Sequence, residues 1–140
     1  MNLFIDCEWN SFGGELISMA LVSETGYSFY EVTDYSNLNL APWIVDHVIP
    51  ILNKEPVSRE VFTEKLHAFL AQFDHVHIIA DWPEDLMWFC KVLITGPGTR
   101  IATPTLTMQI IRVDSLSELP HNALEDAKGL RKHILSWRTE

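Results

Sequence analysis

The sequence LFIDCE, residues 3–8, is an apolar run that carries two acids two positions apart. Because successive side chains of a strand point to opposite faces, Asp6 and Glu8 are predicted to share one face of a β-strand. An ionised carboxylate in an apolar strand is costly unless cations or hydrogen bonds compensate its charge. The run therefore predicts either a divalent-metal site or, as the simpler alternative, the solvated end of a strand that enters a loop.

Length and composition are those of an ordinary soluble protein. The chain has 140 residues, of which 47% are hydrophobic and 21% are charged, so we expect one domain over residues 1–140. The longest apolar runs fall far short of the roughly 18 residues that suggest a membrane span. The sequence opens directly into a predicted strand, without a basic segment or cleavage site. These features predict a cytoplasmic protein with no membrane association.

The net charge limits the kinds of partner that the surface can bind. Formal net charge is −9, from 10 Lys and Arg against 19 Asp and Glu, which argues against binding nucleic acid through a broad basic surface. Bound cations would supply positive charge locally. The two cysteines, Cys7 and Cys90, lie in apolar segments without zinc-ligand spacing and are predicted to be reduced core thiols.

Hydrophobic patterns predict eight main elements in the order β-β-β-α-β-α-β-α. Three strands with short connections, at residues 3–8, 15–22 and 27–33, indicate an antiparallel meander. Residues 43–52 are predicted to form a short helical segment that Pro50 interrupts, and the sequence assigns it no role.

The second half of the chain alternates helices with strands. Apolar residues at helical spacing predict an amphipathic helix from Ser58 to Phe73, with Ser58 as its N-cap. The elements predicted to follow are a strand at 76–80, a helix at 84–94, a strand within 100–113 and a helix at 123–137. Together these elements predict an α/β fold with a mixed five-stranded sheet, a three-stranded antiparallel meander plus parallel strands, flanked by helices.

The start of the last helix carries a second informative group. Asn122 followed by Glu125 predicts an N-cap with a capping-box partner, so the helix should begin at Ala123. His121 and Asp126 then occupy the two positions that meet in a hydrophobic staple, and a histidine and an acid are predicted to meet there. The alternative is a capping motif with a surface histidine and an acid favoured by the helix dipole.

A third group of acids, Asp81, Glu84 and Asp85, follows the strand at 76–80. Asp81 could cap the next helix, and the other two could be first-turn acids favoured by the helix dipole. The carboxyl end of a strand in an α/β sheet is also where ligands commonly bind. One of these acids could therefore face inward instead.

Taken together, the three groups resemble the DEDDh branch of the DnaQ-like 3′-5′ exonucleases over nearly the whole chain. The family's first motif, Asp-x-Glu, is matched by Asp6-Cys7-Glu8, and its third, His-x-x-x-x-Asp, by residues 121–126. Its second motif places an Asp at a helix start ahead of apolar residues. Asp85 is preferred for that role to Asp81, which is interpreted as a helix cap and replaces the Asn often found there in the family.

The resemblance implies a ribonuclease H-like fold and a two-metal-ion mechanism. Asp6, Glu8, Asp85 and Asp126 would hold two Mg²⁺ or Mn²⁺ ions, and His121 would take the proton from the attacking water. The expected reaction is release of nucleoside 5′-monophosphates from the 3′ end of single-stranded RNA. The short length and the opening DCEW are most similar to small bacterial and phage exoribonucleases of the RNase AS type. Related small exoribonucleases are often dimers, so a homodimer is an open expectation.

Two aromatic residues follow the first motif. Trp9 and Phe12 are predicted to stack on the terminal base, with the alternative that Trp9 packs under its loop. Lys128, Arg131 and Lys132 either meet backbone phosphates or form a solvated helix face. Two rival functions stay open: a single-stranded DNA exonuclease of the same family, since no reader of the ribose 2′-hydroxyl is visible, and a catalytically silent ribonuclease H-like binding module.

Overall fold

The computed structural model describes residues 1–112 and 120–137, and these residues form eight strands and four α-helices. The strands are β1 (Asn2–Trp9), β2 (Leu16–Ser23), β3 (Ser28–Thr33), β4 (Pro56–Val57), β5 (His75–Ala80), β6 (Ile94–Gly96), β7 (Thr99–Arg100) and β8 (Thr105–Ile110). The helices are α1 (Pro42–His47), α2 (Arg59–Leu70), α3 (Pro83–Leu93) and α4 (Ala123–Ser136), and a 3₁₀ turn follows α1 at Ile49–Ile51.

Six of the strands form one mixed sheet in the order β4-β3-β2-β1-β5-β8, and β6 and β7 form a separate hairpin. The pairs β1–β2 and β2–β3 are antiparallel, whereas β3–β4, β1–β5 and β5–β8 are parallel. The predicted α/β class and the antiparallel meander are therefore confirmed. Strand β1 is one of the two central strands and pairs with β2 on one side and β5 on the other.

The predicted count of five strands is wrong, because a sixth strand joins the edge of the sheet. Pro56 and Val57 pair with Val32 and Thr33 of β3. Two residues show no periodicity that a sequence pattern could reveal, and Pro, which lacks an N–H, is tolerated at a sheet edge. The strand predicted within residues 100–113 is β8; the last residue of that range, Val113, lies outside the described residues.

The side chains of β1 alternate between two separate hydrophobic layers, as predicted. Leu3, Ile5 and Cys7 are buried on one face in a core that includes the apolar sides of α2 and α3. Phe4 is fully buried on the other face, where it packs against α4. Because Asp6 follows Phe4 by two positions, the strand directs its first acid toward the face that carries α4.

Helix α2 confirms the amphipathic pattern read from the sequence. Ser58 is its N-cap and accepts a hydrogen bond from the Val61 N–H at 3.2 Å. The helix ends at Leu70 rather than at Phe73, yet the Phe73 ring still packs against Phe69 with centroids 5.6 Å apart. Within residues 1–112 and 120–137, none of the helices combines the length and apolar character needed to cross a bilayer.

We expect Phe62→Ala to lower the free energy of unfolding by about 3–5 kcal/mol, the usual cost of emptying a buried aromatic site. The Phe62 ring is fully buried and meets Phe29 edge-on at 5.5 Å. The neighbouring Val61, 36% exposed, provides the control, and Val61→Ala should stay within about 0.5 kcal/mol of wild type. Urea unfolding followed by circular dichroism measures both; equal effects would contradict this packing.

Candidate metal centre

Five carboxylates from four parts of the fold converge beside strand β1. Asp6 and Glu8 belong to β1, Asp81 directly follows β5, and Asp85 and Asp126 lie in the first turns of α3 and α4. Their oxygens form two groups, Asp6 with Asp81 and Asp85, and Asp6 with Glu8 and Asp126, with the atoms of each group within 4.8 Å of one another. Either group could hold a metal ion, and Asp6 belongs to both.

The neighbouring strand leaves room for the acids of β1. Asp6 lies opposite Ala20 and Glu8 lies opposite Ser18 in the antiparallel register between β1 and β2. Directly opposed residues share a face of the sheet, so both acids have small neighbours there. The register shifts between Glu8 and Trp9, and this irregularity ends regular pairing just beyond the second acid.

A long-range hydrogen bond brings Asp85 into the same centre. The Cys7 backbone N–H, between the two acids of β1, donates to Asp85 Oδ1 at 3.0 Å. Asp85 is almost fully buried. Its second oxygen, Oδ2, is buried without a hydrogen-bond partner among the described residues, and the same is true of Asp6 Oδ2. Two such oxygens fit a divalent cation, because oxygen ligands are those that hard cations prefer.

Burial and mutual repulsion raise the pKa of these acids. Burial is the largest cause for Asp6, whose pKa lies well above its usual value, and the charge of Asp85 adds to it. Burial, followed by the charge of Asp126, raises the pKa of Glu8 to about 9. Burial also raises the pKa of Asp85, although the Cys7 N–H opposes that shift. A bound cation would reverse this unfavourable electrostatic balance.

The structure corrects the interpretation of Asp81 as a helix cap. The N-cap of α3 is Trp82, whose side chain makes no capping hydrogen bond, and Pro83 occupies the start of the helix. Proline lacks an N–H, so the first turn has one fewer donor to satisfy. Asp81 instead lies with Asp6 and Asp85. The sequence favoured Asp85 over Asp81 for the site, whereas the structure brings both acids to Asp6.

The start of α4 follows the prediction, with one difference in which atoms meet. Asn122 is the N-cap and accepts from the Glu125 N–H at 3.1 Å. His121 and Asp126 do meet, but it is the His121 backbone N–H that donates to Asp126 Oδ2, at 3.1 Å. His121 has a φ of 70°, in the left-handed region. The His121 imidazole meets Trp43 at 4.8 Å, nearly perpendicular to the indole.

An open cleft of about 350 Å³ adjoins the acids; it is lined by Glu8, Trp9, Ser11, Phe12, Trp43, Ile44 and His121. Phe12 is 97% exposed. Trp9 lines the cleft and also packs against the main core, which agrees with the alternative of a packed side chain, whereas stacking on a base stays a prediction. Trp43 was not predicted as a site residue, because it lies in the segment to which the sequence assigned no role and no local spacing pointed to it.

Two of the three basic residues on α4 are engaged within the protein. Arg131 Nε donates to the Ser23 carbonyl at 2.9 Å, and its guanidinium also reaches the Glu24 carbonyl. Lys128 pairs with Glu125 at 3.3 Å. Arg131 thus joins α4 to the end of β2, and it fits neither a phosphate contact nor a solvated helix face.

In comparisons with known proteins, no model of a protein family and no curated protein matches this sequence.

We expect the metal-free protein to lose stability as pH rises from about 5 to 9. The pKa values of Asp6, Glu8 and Asp85 are raised in the folded state, so protonation stabilises the folded form, and that contribution is lost as pH rises through the folded pKa values. Mg²⁺ or Mn²⁺ should restore the stability at high pH, because binding to the folded state is stabilising. Thermal unfolding across this pH range, in EDTA and with Mg²⁺ or Mn²⁺ added, measures both effects.

Asp6→Asn is the informative variant for this prediction, and the exposed acid Asp74, in the turn before β5, supplies the control. In EDTA at pH 8, Asp6→Asn should raise Tm because it removes a buried carboxyl whose raised pKa opposes folding at this pH, and it should also reduce the gain in Tm from metal. Asp74→Asn should behave as wild type in both conditions. If metal raised the Tm of wild type, Asp6→Asn and Asp74→Asn by the same amount, that result would contradict a metal centre around Asp6.

Proposed function

We propose that this protein is a metal-dependent 3′-5′ exoribonuclease of the DEDDh type with a ribonuclease H-like fold. It would release nucleoside 5′-monophosphates from the 3′ ends of single-stranded RNA. The observation that carries the proposal is the position of Asp6, whose carboxylate belongs to two groups of acids beside an open cleft that His121 lines. The α/β sheet, with an antiparallel meander next to parallel strands, is compatible with this fold.

The acids fit two divalent cations. Asp6, Glu8, Asp85 and Asp126, with Asp81 added, would hold Mg²⁺ or Mn²⁺, because all the ligand atoms are carboxylate oxygens. The buried, unpartnered oxygens of Asp6 and Asp85 support this assignment, since buried charges are otherwise paired or bound to metal. When bound, such ions lower the pKa of the attacking water and stabilise the charge that develops on the leaving 3′ oxygen.

His121 is the residue best placed to accept a proton. His121 lines the cleft, as Glu8 does, and its backbone N–H is held by Asp126. Histidine is the side chain that most often transfers protons in catalysis. We assign His121 as the general base that takes the proton of the attacking water.

The cleft suits the last nucleotide of a single strand. Phe12 and Trp9 present aromatic surface along it, and stacking on a base is indifferent to sequence. The net charge of −9 makes bound cations the main source of attraction for the phosphates. The preference for RNA over DNA rests on the family resemblance.

We expect metal-dependent shortening of a 5′-labelled single-stranded RNA from its 3′ end, with nucleoside 5′-monophosphates as products. EDTA should stop the reaction, and Asp6→Ala should abolish it because both groups of acids lose their shared ligand. Asp74→Asn, with a surface acid replaced, should keep wild-type activity. Gel analysis of the RNA and chromatography of the products measure these outcomes.

A DNA oligomer of the same sequence belongs in the same assay. Equal shortening of both polymers would remove the RNA preference, and shortening of DNA alone would identify a DNA exonuclease. No shortening of either by a folded, metal-loaded protein would overturn the proposal and favour a catalytically silent binding module.

We expect Asp85→Asn to lose more activity than Asp81→Asn. Asp85 is almost fully buried, whereas Asp81 is about half-buried, so the charge of Asp85 is less screened by solvent. The amide oxygen in Asp85→Asn can still accept from the Cys7 N–H. A loss of activity in this variant would therefore reflect the lost ligand charge and not a lost fold. Asp81→Asn should mainly raise the metal concentration that gives half-maximal activity. Titrating Mn²⁺ in the RNA assay tests this, and the reverse ranking would exchange the two roles.

A further inference from the structure

The segment between β3 and β4 presents an exposed tryptophan to the cleft. Trp43, in the first turn of α1, is 48% exposed. Its indole stacks on the His47 imidazole, with ring centroids 4.5 Å apart and planes 16° from parallel. The same indole meets the His121 imidazole at 4.8 Å and 84°. A perpendicular aromatic pair is attractive and directional, because the edge of one ring meets the face of the other.

The amino end of α1 is tied to the strand that carries the acids. Asn10 lies two residues beyond Glu8, and its side-chain amide donates to the Asn39 carbonyl at 2.9 Å. The Asn10 Oδ1 accepts from the Ala41 N–H at 2.8 Å. These two bonds use both ends of one amide, so they set the distance between the loop after β1 and the start of α1.

The other end of this segment is tied to the helix cap beside His121. The Asn122 Nδ2 donates to the Ile51 carbonyl at 2.8 Å, and the Tyr30 hydroxyl donates to the Leu52 carbonyl at 2.6 Å. Asn122 is also the N-cap of α4. The segment that carries Trp43 is thus attached on one side to Asn10, two residues beyond Glu8, and on the other to Asn122, the neighbour of His121.

The imidazole of His121 has little else to hold it. Within residues 1–112 and 120–137, neither of its ring nitrogens has a hydrogen-bond partner, and its backbone N–H is the group that Asp126 holds. A solvent-exposed histidine without a hydrogen bond can occupy several rotamers. The Trp43 ring restricts that choice from one side of the cleft.

We propose that Trp43 is a positioning residue that restricts the orientation of the His121 imidazole in the cleft, with the stacked His47 imidazole supporting the indole. The inference rests on the proposed function, in which His121 is the general base. A misplacement of about 1 Å can cost roughly 100-fold in rate, so Trp43 acts on the chemical step through His121. The sequence of α1 contributes to the site although none of its residues is among the five acids or the base.

Two substitutions and a matched control test the inference by activity. We expect Trp43→Leu, which keeps apolar bulk, to lower kcat about 10- to 100-fold with little change in KM, and Trp43→Phe to recover most of the loss. Trp137 forms a similar perpendicular pair with His133, at 5.5 Å and 76°, and is also 48% exposed. Trp137→Leu should leave both constants unchanged.

A double-mutant cycle separates positioning from substrate stacking. His121→Ala should lower kcat by about 10²- to 10⁴-fold, and adding Trp43→Leu should lower it no further, because the two residues act as a unit. A rise in KM from Trp43→Leu in both backgrounds would instead make Trp43 a stacking surface for substrate and overturn the inference. An unchanged kcat in Trp43→Leu would overturn it as well.

Histidine NMR of the full chain provides a readout that does not depend on activity. The Hε1 signal of His121, assigned by its absence in His121→Ala, should move in Trp43→Leu because the indole ring current is lost, and it should stay in place in Trp137→Leu. An unmoved His121 signal would overturn the inference even if the protein degrades RNA. A wild-type protein that folds, binds Mn²⁺ and degrades no RNA would instead overturn the proposed function, whatever the NMR result.

Discussion

The hydrogen bond from the Cys7 N–H to the Asp85 carboxylate is the contact on which the candidate centre depends. It joins α3 to the central strand at the residue that separates Asp6 from Glu8. Residues 78 positions apart are thereby held at one point, and acids from two elements are brought to the same volume. The bond also keeps one oxygen of Asp85 engaged with backbone, so the other oxygen remains available as a ligand.

The rest of the fold maintains an arrangement that is electrostatically unfavourable by itself. Burial, and after it the repulsion between neighbouring acids, raises the pKa of Asp6, Glu8 and Asp85. The strand that carries two of them has paired neighbours on both sides and hydrophobic layers on both faces. Packing of this kind supplies the stability that a cluster of like charges removes. A cation bound among these acids would attract each carboxylate and so offset their mutual repulsion.

Local patterns predicted most of the elements and part of the candidate centre. Alternation along β1 placed Asp6 on the face opposite Cys7, and the cap at Asn122 set the start of α4, because both depend only on neighbouring residues. Where the sequence predictions were wrong, contacts between elements distant in sequence had decided the structure. Asp81 was interpreted as a cap because its position before a helix suggests one, yet the chain turns at Trp82 and directs that carboxylate to Asp6. The two-residue strand β4 depends on its partner in β3 and has no pattern of its own.

By itself the sequence determined the α/β class, the order of the main elements, and the acids of β1 and of the first turns of α3 and α4. Those features follow from periodicity and capping, which act over a few residues. Only the tertiary structure decided that Asp81 joins Asp85 at Asp6, that His121 meets Asp126 through its backbone, and that Trp43 meets the His121 ring. Each of these contacts depends on where separate elements lie in the assembled fold, and the three-dimensional arrangement of strands and connections sets that position.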